Sequence, residues 1–206
     1  MSEYEFEPVR GLPGKLPPGE TLLWQGAPDW RRLARDAFHV RLVAAYFAVL
    51  LGWAAIDGTL LGVTATLVVG VAGVAMLYLL AWLSARTTVY SITSRRVVLR
   101  FGIALPKCVN LPFTAIETAQ LAQNDDGSGN VALALTARGL GYASLWPHAR
   151  AWEVSKPQPM LRALPDAAKV ATLLAEACAT TVPGSRRHAI DDAATASPGY
   201  GNAVAA

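Results

Sequence analysis

LVAAYFAVLLGWAAI (Leu42 to Ile56) and LLGVTATLVVGVAGVAMLYLLAWL (Leu60 to Leu83) decide how this chain is read. Between Leu42 and Ala85 the only formal charge is Asp57. A helix needs roughly 20 apolar residues to cross a bilayer core of about 30 Å. The second stretch clears that length. Its twelve Leu and Val residues favour insertion by roughly 4 to 7 kcal/mol. The first reaches spanning length only if Ala37 to Val40 join it, with Arg41 snorkelling to the headgroups. Asp57-Gly58-Thr59 leaves room for a tight turn and nothing more. The pattern predicts a transmembrane helical hairpin with spans at about 38–56 and 60–83.

Charge orients the hairpin. Arg31, Arg32, Arg35 and Arg41 precede the first span, Arg86, Arg95, Arg96 and Arg100 follow the second, and the turn carries no cation. The positive-inside rule then puts both termini in the cytoplasm. Trp30, Trp53 and Trp82 fall near the expected interfaces, where amphipathic rings prefer to sit. No signal peptide is expected, because the apolar region starts too late and no cleavage site follows it. Small residues recur at four-residue spacing: Ala44, Ala48 and Gly52 in the first span, Gly62, Thr66 and Gly70 in the second. Such ridges let backbones approach closely in lipid. The adjacent antiparallel helix is the nearest partner, so the ridges are expected to pack on each other. The alternative is that one faces a partner's helix.

Outside the spans the chain divides further. Residues 1–28 form a Pro- and Gly-rich lead-in with a short strand at Glu20 to Gln25. Asp29 is placed to cap an interfacial helix from Trp30, so 29–85 comprises that helix and the hairpin. Residues 86–180 read as a β domain, beginning with a hairpin from Thr87 to Thr93 and Val97 to Ile103. Further strands are expected near Val109 to Phe113, Ile116 to Ala122, Val131 to Thr136 and Leu140 to Trp146, with a turn at Asn124 to Asn130. A closing helix from Ala167 to Ala177 presents Val170, Leu173, Leu174 and Ala177 as one apolar stripe, with both leucines expected to be buried. Residues 181–206 lack periodicity and read as a disordered tail.

The fold class expected is therefore an α+β membrane protein. Cys108 and Cys178 have no CxxC spacing and read as thiols. His39, His148 and His188 lack partners at metal-ligand spacing, so no metal is expected. There is no phosphate-binding glycine loop and no GxSxG elbow, and no carboxylate pair sits in an apolar setting. Asp125 and Asp126 look like turn residues. An enzyme is not expected. The arginines suit an anionic leaflet better than nucleic acid, since no basic stretch is interleaved with aromatics. His39, at the edge of the first span, could ligate the magnesium of a chlorin. The plainer reading is an interfacial histidine, because Arg35 occupies the preceding turn where a chlorin would prefer a small residue.

The opening GETLLWQGAPDW (Gly19 to Trp30), the hairpin, and TTVYSITSRRVVLRFGIAL (Thr87 to Leu105) together resemble the bacterial pleckstrin-homology-like membrane proteins. EPVRGLP (Glu7 to Pro13), WRRLARDAFHVR (Trp30 to Arg41), LWPHARAW (Leu145 to Trp152) and PQPMLRALPDAAKVATLLAEA (Pro157 to Ala177) narrow this to the PuhB-type family of photosynthetic-complex assembly proteins. That resemblance implies a purple-bacterial membrane protein that helps assemble the reaction centre with its core light-harvesting (LH1) antenna by protein contact. It also implies a pleckstrin-like β-sandwich capped by a C-terminal helix, with the hairpin inserted after the first strand, and it supplies no catalytic residue and no cofactor. The partners implied are reaction-centre or core-antenna subunits and membrane lipids, with self-association a further option. The alternative is a carrier or sensor that binds a lipid headgroup or bacteriochlorophyll.

Overall fold

The computed structural model describes residues 11–12, 14–136 and 141–181. The tail from 182, with His188, lies outside them. Among the described residues two compact units form, one from Asp29–Arg86 and one from those before Asp29 together with those from Thr87 onward.

The second unit is built from antiparallel sheets. Strands β1 (Leu22–Gly26), β2 (Val89–Thr93), β3 (Arg96–Phe101) and β4 (Lys107–Pro112) make one sheet in that order. Strands β5 (Ile116–Gln123), β6 (Gly129–Leu135) and β7 (Met160–Leu164) make the other. Alternation sorts the side chains. Tyr90 pairs with Leu99 and Ile92 with Val97, which sends these four to one buried face. They join Phe113, Leu133 and Leu161 in the core. On the outer face, Val89 lies where a Cβ on Gly11, at φ +90°, would come within 2.5 Å of it. Only glycine fits there, which gives Gly11 of the N-terminal block a packing reason.

Strand β3 stops at Phe101, before the expected Ile103, because Gly102 turns at φ +123° with no room for a side chain beside the Leu105 carbonyl. In the turn between β5 and β6, the Asp126 carboxylate accepts from the Ser128 amide at 3.1 Å and from its hydroxyl. The closing helix runs Ala167–Thr181 and packs on β5 and β6. Of its two leucines only Leu174 is fully buried; Leu173 is half-buried at the edge of the stripe.

The expected strand from Leu140 to Trp146 is not there. Tyr142–Leu145 forms one helical turn instead, after Gly141, while residues 137–140 lie outside the described set. Tyr142 and Leu145, three residues apart, both reach the core, so the local period is helical rather than two. Strand β7 escaped the sequence reading because MLRAL offers neither β-branched residues nor alternation; its pattern is buried on both sides of Arg162.

The unit Asp29–Arg86 is helical. Helix α1 (Trp30–Asp36) is capped by Asp29, which accepts from the Arg31 amide at 2.8 Å. Helix α2 covers Val40–Ile56 and α3 covers Leu60–Thr87, with Asp57-Gly58-Thr59 between them. At 28 residues, α3 is about 42 Å long and apolar enough to cross a bilayer. Helix α2 alone is shorter, and it passes the same criterion only jointly with α1, from which it is bent by 58°. The first span expected from residue 38 is therefore interrupted. His39 takes a left-handed conformation at φ 49° and precedes α2, and histidine is among the residue types that tolerate this region best.

Candidate functional site

In the helical unit, large apolar side chains point outward: Leu42, Val49, Trp53 and Ile56 on α2 and Leu60, Leu61 and Val68 on α3 are exposed. Four of the six small residues, Ala44, Ala48, Thr66 and Gly70, line an open apolar groove of about 450 Å³ between α2 and α3, together with Leu51 and Tyr78. The ridges thus face each other across a gap, and the close ridge-on-ridge packing expected from spacing does not occur. Phe47 is the reason. Its ring lies where a Cβ on Gly70 would meet it at 3.0 Å, so the aromatic ring, not a second ridge, occupies the glycine notch. Gly52 has nothing near its Cβ position, and Gly62 meets only the neighbouring Thr59 hydroxyl.

The residues expected at an interface cluster by helix. Trp30 stands edge-on to Tyr78 at 6.3 Å, and the Arg31 guanidinium lies 5.3 Å over the Trp30 ring. Arg32 pairs with Asp29 at 3.5 Å, and Arg86 covers Trp82 at 4.6 Å. Arg35, in the last turn of α1, and Arg41, in the first turn of α2, are exposed, as is His39. His39 makes no capping bond with its side chain. Among the described residues, no group of three His, Cys, Asp or Glu is placed to hold a metal ion.

The β unit holds two buried polar clusters that sequence reading missed. The first joins Glu20, before β1, to the TSRR turn. The Glu20 carboxylate accepts from the Thr93 hydroxyl at 2.7 Å and from the Arg96 guanidinium at 2.8 and 3.0 Å. Burial alone raises the pKa of this carboxyl, but the bonds from Arg96 and Thr93 and the charges of Arg96 and Arg95 outweigh it. The group is held below the usual glutamate range. GE and TSRR are both visible in the sequence; that they bond each other is not.

The second cluster centres on His148, fully buried. Its Nδ1 lies 2.8 Å from the Tyr90 hydroxyl and its Nε2 lies 3.1 Å from the Thr88 hydroxyl. Tyr90 accepts from the Arg162 amide at 3.1 Å. The arrangement that satisfies all three has Tyr90 donating to Nδ1 and an Nε2–H donating to Thr88. Burial, with the Arg162 charge adding to it, pushes the imidazole down to about 3. Burial likewise raises the Tyr90 phenol and pushes the Cys178 thiol up to about 11. Cys178 is buried, Cys108 is exposed, and neither is in a disulfide. The His148 ring is therefore neutral at physiological pH and serves as a fixed strut.

What it supports is an arm. Ala149 bridges to Pro159, the Arg150 amide bonds the Gln158 carbonyl at 2.9 Å, and the Arg150 guanidinium holds Gln120 at 2.6 Å and Gln158 at 2.9 Å. The Arg162 guanidinium bonds the Ala149 carbonyl at 2.7 Å. Beyond this fastened base, Trp152 sits at φ 66° and is 94% exposed, with Val154 and Trp146 also exposed. A bulky residue at positive φ is an outlier that the surroundings must hold in place. Thus the LWPHARAW block divides its labour: Leu145, His148 and Ala149 anchor, while Trp146 and Trp152 are presented to solvent.

A family model described as the bacterial PH domain matches residues 38–177, a span that takes in α2 and α3 as well as β2 to β7. A Rhodobacter capsulatus relative, described as the "Uncharacterized 23.7 kDa protein in puhA 5'region", is 40% identical over 186 residues, covering 85% of this chain and 87% of the relative. No solved structure matches. Both matches agree with the resemblance read from the sequence motifs.

Proposed function

We propose that this chain, which belongs to the bacterial PH domain family, is a non-enzymatic membrane factor that helps assemble the photosynthetic reaction centre with its core antenna. The observation that carries the reading is the 40% identity, over most of both chains, to a protein whose description places it beside puhA. Two features support contact rather than catalysis as the mode of action. The buried polar groups of the β unit are fastened to one another and His148 is held neutral, which suits a scaffold. The exposed Trp152 is the kind of rigid aromatic that dominates protein interfaces.

In this proposal the unit Asp29–Arg86 crosses the bilayer twice, through α2 and α3, with both termini cytoplasmic. The outward apolar faces and the arginines at only one end of each helix support it. A reporter active only in the periplasm, fused after Ala85, is expected to be silent; activity there would overturn the hairpin. Deleting the gene in its photosynthetic host is expected to lower reaction-centre and core-antenna absorption in membrane spectra while pigment synthesis continues. Accumulated pigment precursors would point to an enzyme instead.

The arm gives a sharper test. Trp152→Ser should leave folding unchanged, because the side chain touches almost nothing. It should lower capture of reaction-centre or antenna subunits by roughly 30-fold if Trp152 is a contact hot spot. Affinity capture from pigmented membranes, with crosslinking and mass spectrometry, reads both quantities. Undiminished capture would remove the arm from the contact surface.

A further inference from the structure

We propose that the groove between α2 and α3 seats one acyl chain of an anionic phospholipid, whose phosphate is held by the Arg31 and Arg41 guanidinium groups. The inference rests on the membrane-spanning reading above. Three observations meet here. The groove is apolar and measures about 450 Å³, within the roughly 300–1,000 Å³ of small-ligand sites. Its length selects the occupant. Along α3 it runs from Thr66 to Tyr78, about 18 Å at the helical rise, close to one leaflet, which is half of a core of about 30 Å. A partner's transmembrane helix would need a groove that continues across the whole bilayer.

The cations sit at one mouth only, and the single charge of the α2–α3 turn at the far end is the anion Asp57. Tyr78 closes the groove at the end where Trp30 stands against it, and Arg31 lies over Trp30. Arg41 is three residues before the lining residue Ala44, hence on the same face of α2 one turn nearer that mouth. At the other end, near Leu51 and Thr66, the sequence supplies no cation. An apolar trough with cations at one end matches an amphiphile with one negative head, and the T-shaped Trp30–Tyr78 pair provides the amphipathic rings that sit at headgroup level. Phe47, wedged on Gly70, holds the trough open.

The test uses the full chain, purified in mild detergent after exchange with vesicles of phosphatidylcholine alone or of phosphatidylcholine and phosphatidylglycerol at equal ratio. Native mass spectrometry reads the lipid retained. One phosphatidylglycerol per chain is expected, with a preference over phosphatidylcholine of roughly 30-fold from two arginines at the surface. Arg31→Gln with Arg41→Gln should reduce that preference to about that of one lipid over the other by chance, without loss of folding. Ala48→Phe, which fills the trough, should lower retention of both lipids while the arginines remain. Equal retention of the two lipids by the unmodified chain overturns the proposal, as does undiminished retention in the Ala48→Phe variant. A co-purified polypeptide crosslinked at Ala48 would do the same and make the groove a helix site. Extraction by alkaline carbonate separates the two readings: release from the membrane overturns both, whereas an integral protein with no lipid preference overturns only this one.

Discussion

Replacing His148 with leucine is expected to destabilise the β unit by about 2–5 kcal/mol and to loosen the arm that carries Trp152. The leucine fills the space but leaves the Tyr90 and Thr88 hydroxyls without the ring nitrogens they bond at 2.8 and 3.1 Å. Each buried polar group left unsatisfied costs roughly 1–3 kcal/mol. The same residue makes stability depend on pH with a definite sign. The folded-state imidazole is depressed to about 3 from an ordinary value of 6.5, so below 6.5 the unfolded chain binds a proton that the folded chain does not. Stability is thus fully present above 6.5 and falls by roughly 1.4 kcal/mol per pH unit down to about 3. Glu20, also depressed, adds to the loss only as pH falls below its ordinary 4.5. Between 6.5 and 4.5 the slope therefore belongs to His148. Denaturant unfolding of the full chain in detergent should show it, and His148→Gln, which does not titrate, should lose it. A flat wild-type profile across that window would mean that the ring is not buried as described.

Leu174→Ala is expected to cost about 2–5 kcal/mol, the usual price of emptying a fully buried leucine site, and to deplete the protein from membranes through proteolysis of the loosened domain. Leu174 is 1% exposed and belongs to the core shared by both sheets. Leu173→Ala should cost markedly less, because its side chain only borders that core. Pulse-chase abundance of the two variants, paired with unfolding in detergent, separates them. Equal depletion would place both leucines inside the core, and wild-type abundance of the Leu174 variant would show that the closing helix does not carry the sheet. The contrast is a product of tertiary geometry, since the sequence gives the two residues the same chemistry at adjacent positions.

Much of the architecture could be read directly from residues. The strand at Glu20 to Gln25, the β2–β3 hairpin, the turn at Asn124 to Asn130 and the closing helix all appear close to where patterning places them. The Asp29 cap is formed as its position predicts. These features are local. A turn, a cap or an amphipathic period is written within a few residues, and its energy is settled there before any distant contact forms. The family resemblance was legible for the same reason, because its distinguishing blocks are continuous stretches such as LWPHARAW.

Where reading failed, the deciding interaction was distant. Strand β7 is a strand because Leu161 and Met160 pair with Val131 and Ala132 on β6, and nothing within MLRAL announces it. Tyr142–Leu145 is helical because two side chains three residues apart meet the core from one side. The break at His39 is a backbone choice that an apolar run conceals. On α2 and α3, Ala44, Ala48, Thr66 and Gly70 line one groove while Gly52 and Gly62 do not, and the Phe47 ring rather than a second ridge lies against Gly70. His148 meets Thr88 across 60 residues, and Glu20 meets Arg96 across 76. A lone histidine or glutamate carries no sign of such a partner. The sequence by itself determined the two long apolar helices, the Asp29 cap, the β2–β3 hairpin, the turn at Asn124 to Asn130 and the closing helix, because those depend on near neighbours. Only the tertiary structure decided which polar groups are buried, which tryptophan is presented and how far apart two helices stand, because each depends on surfaces brought together from distant parts of the chain.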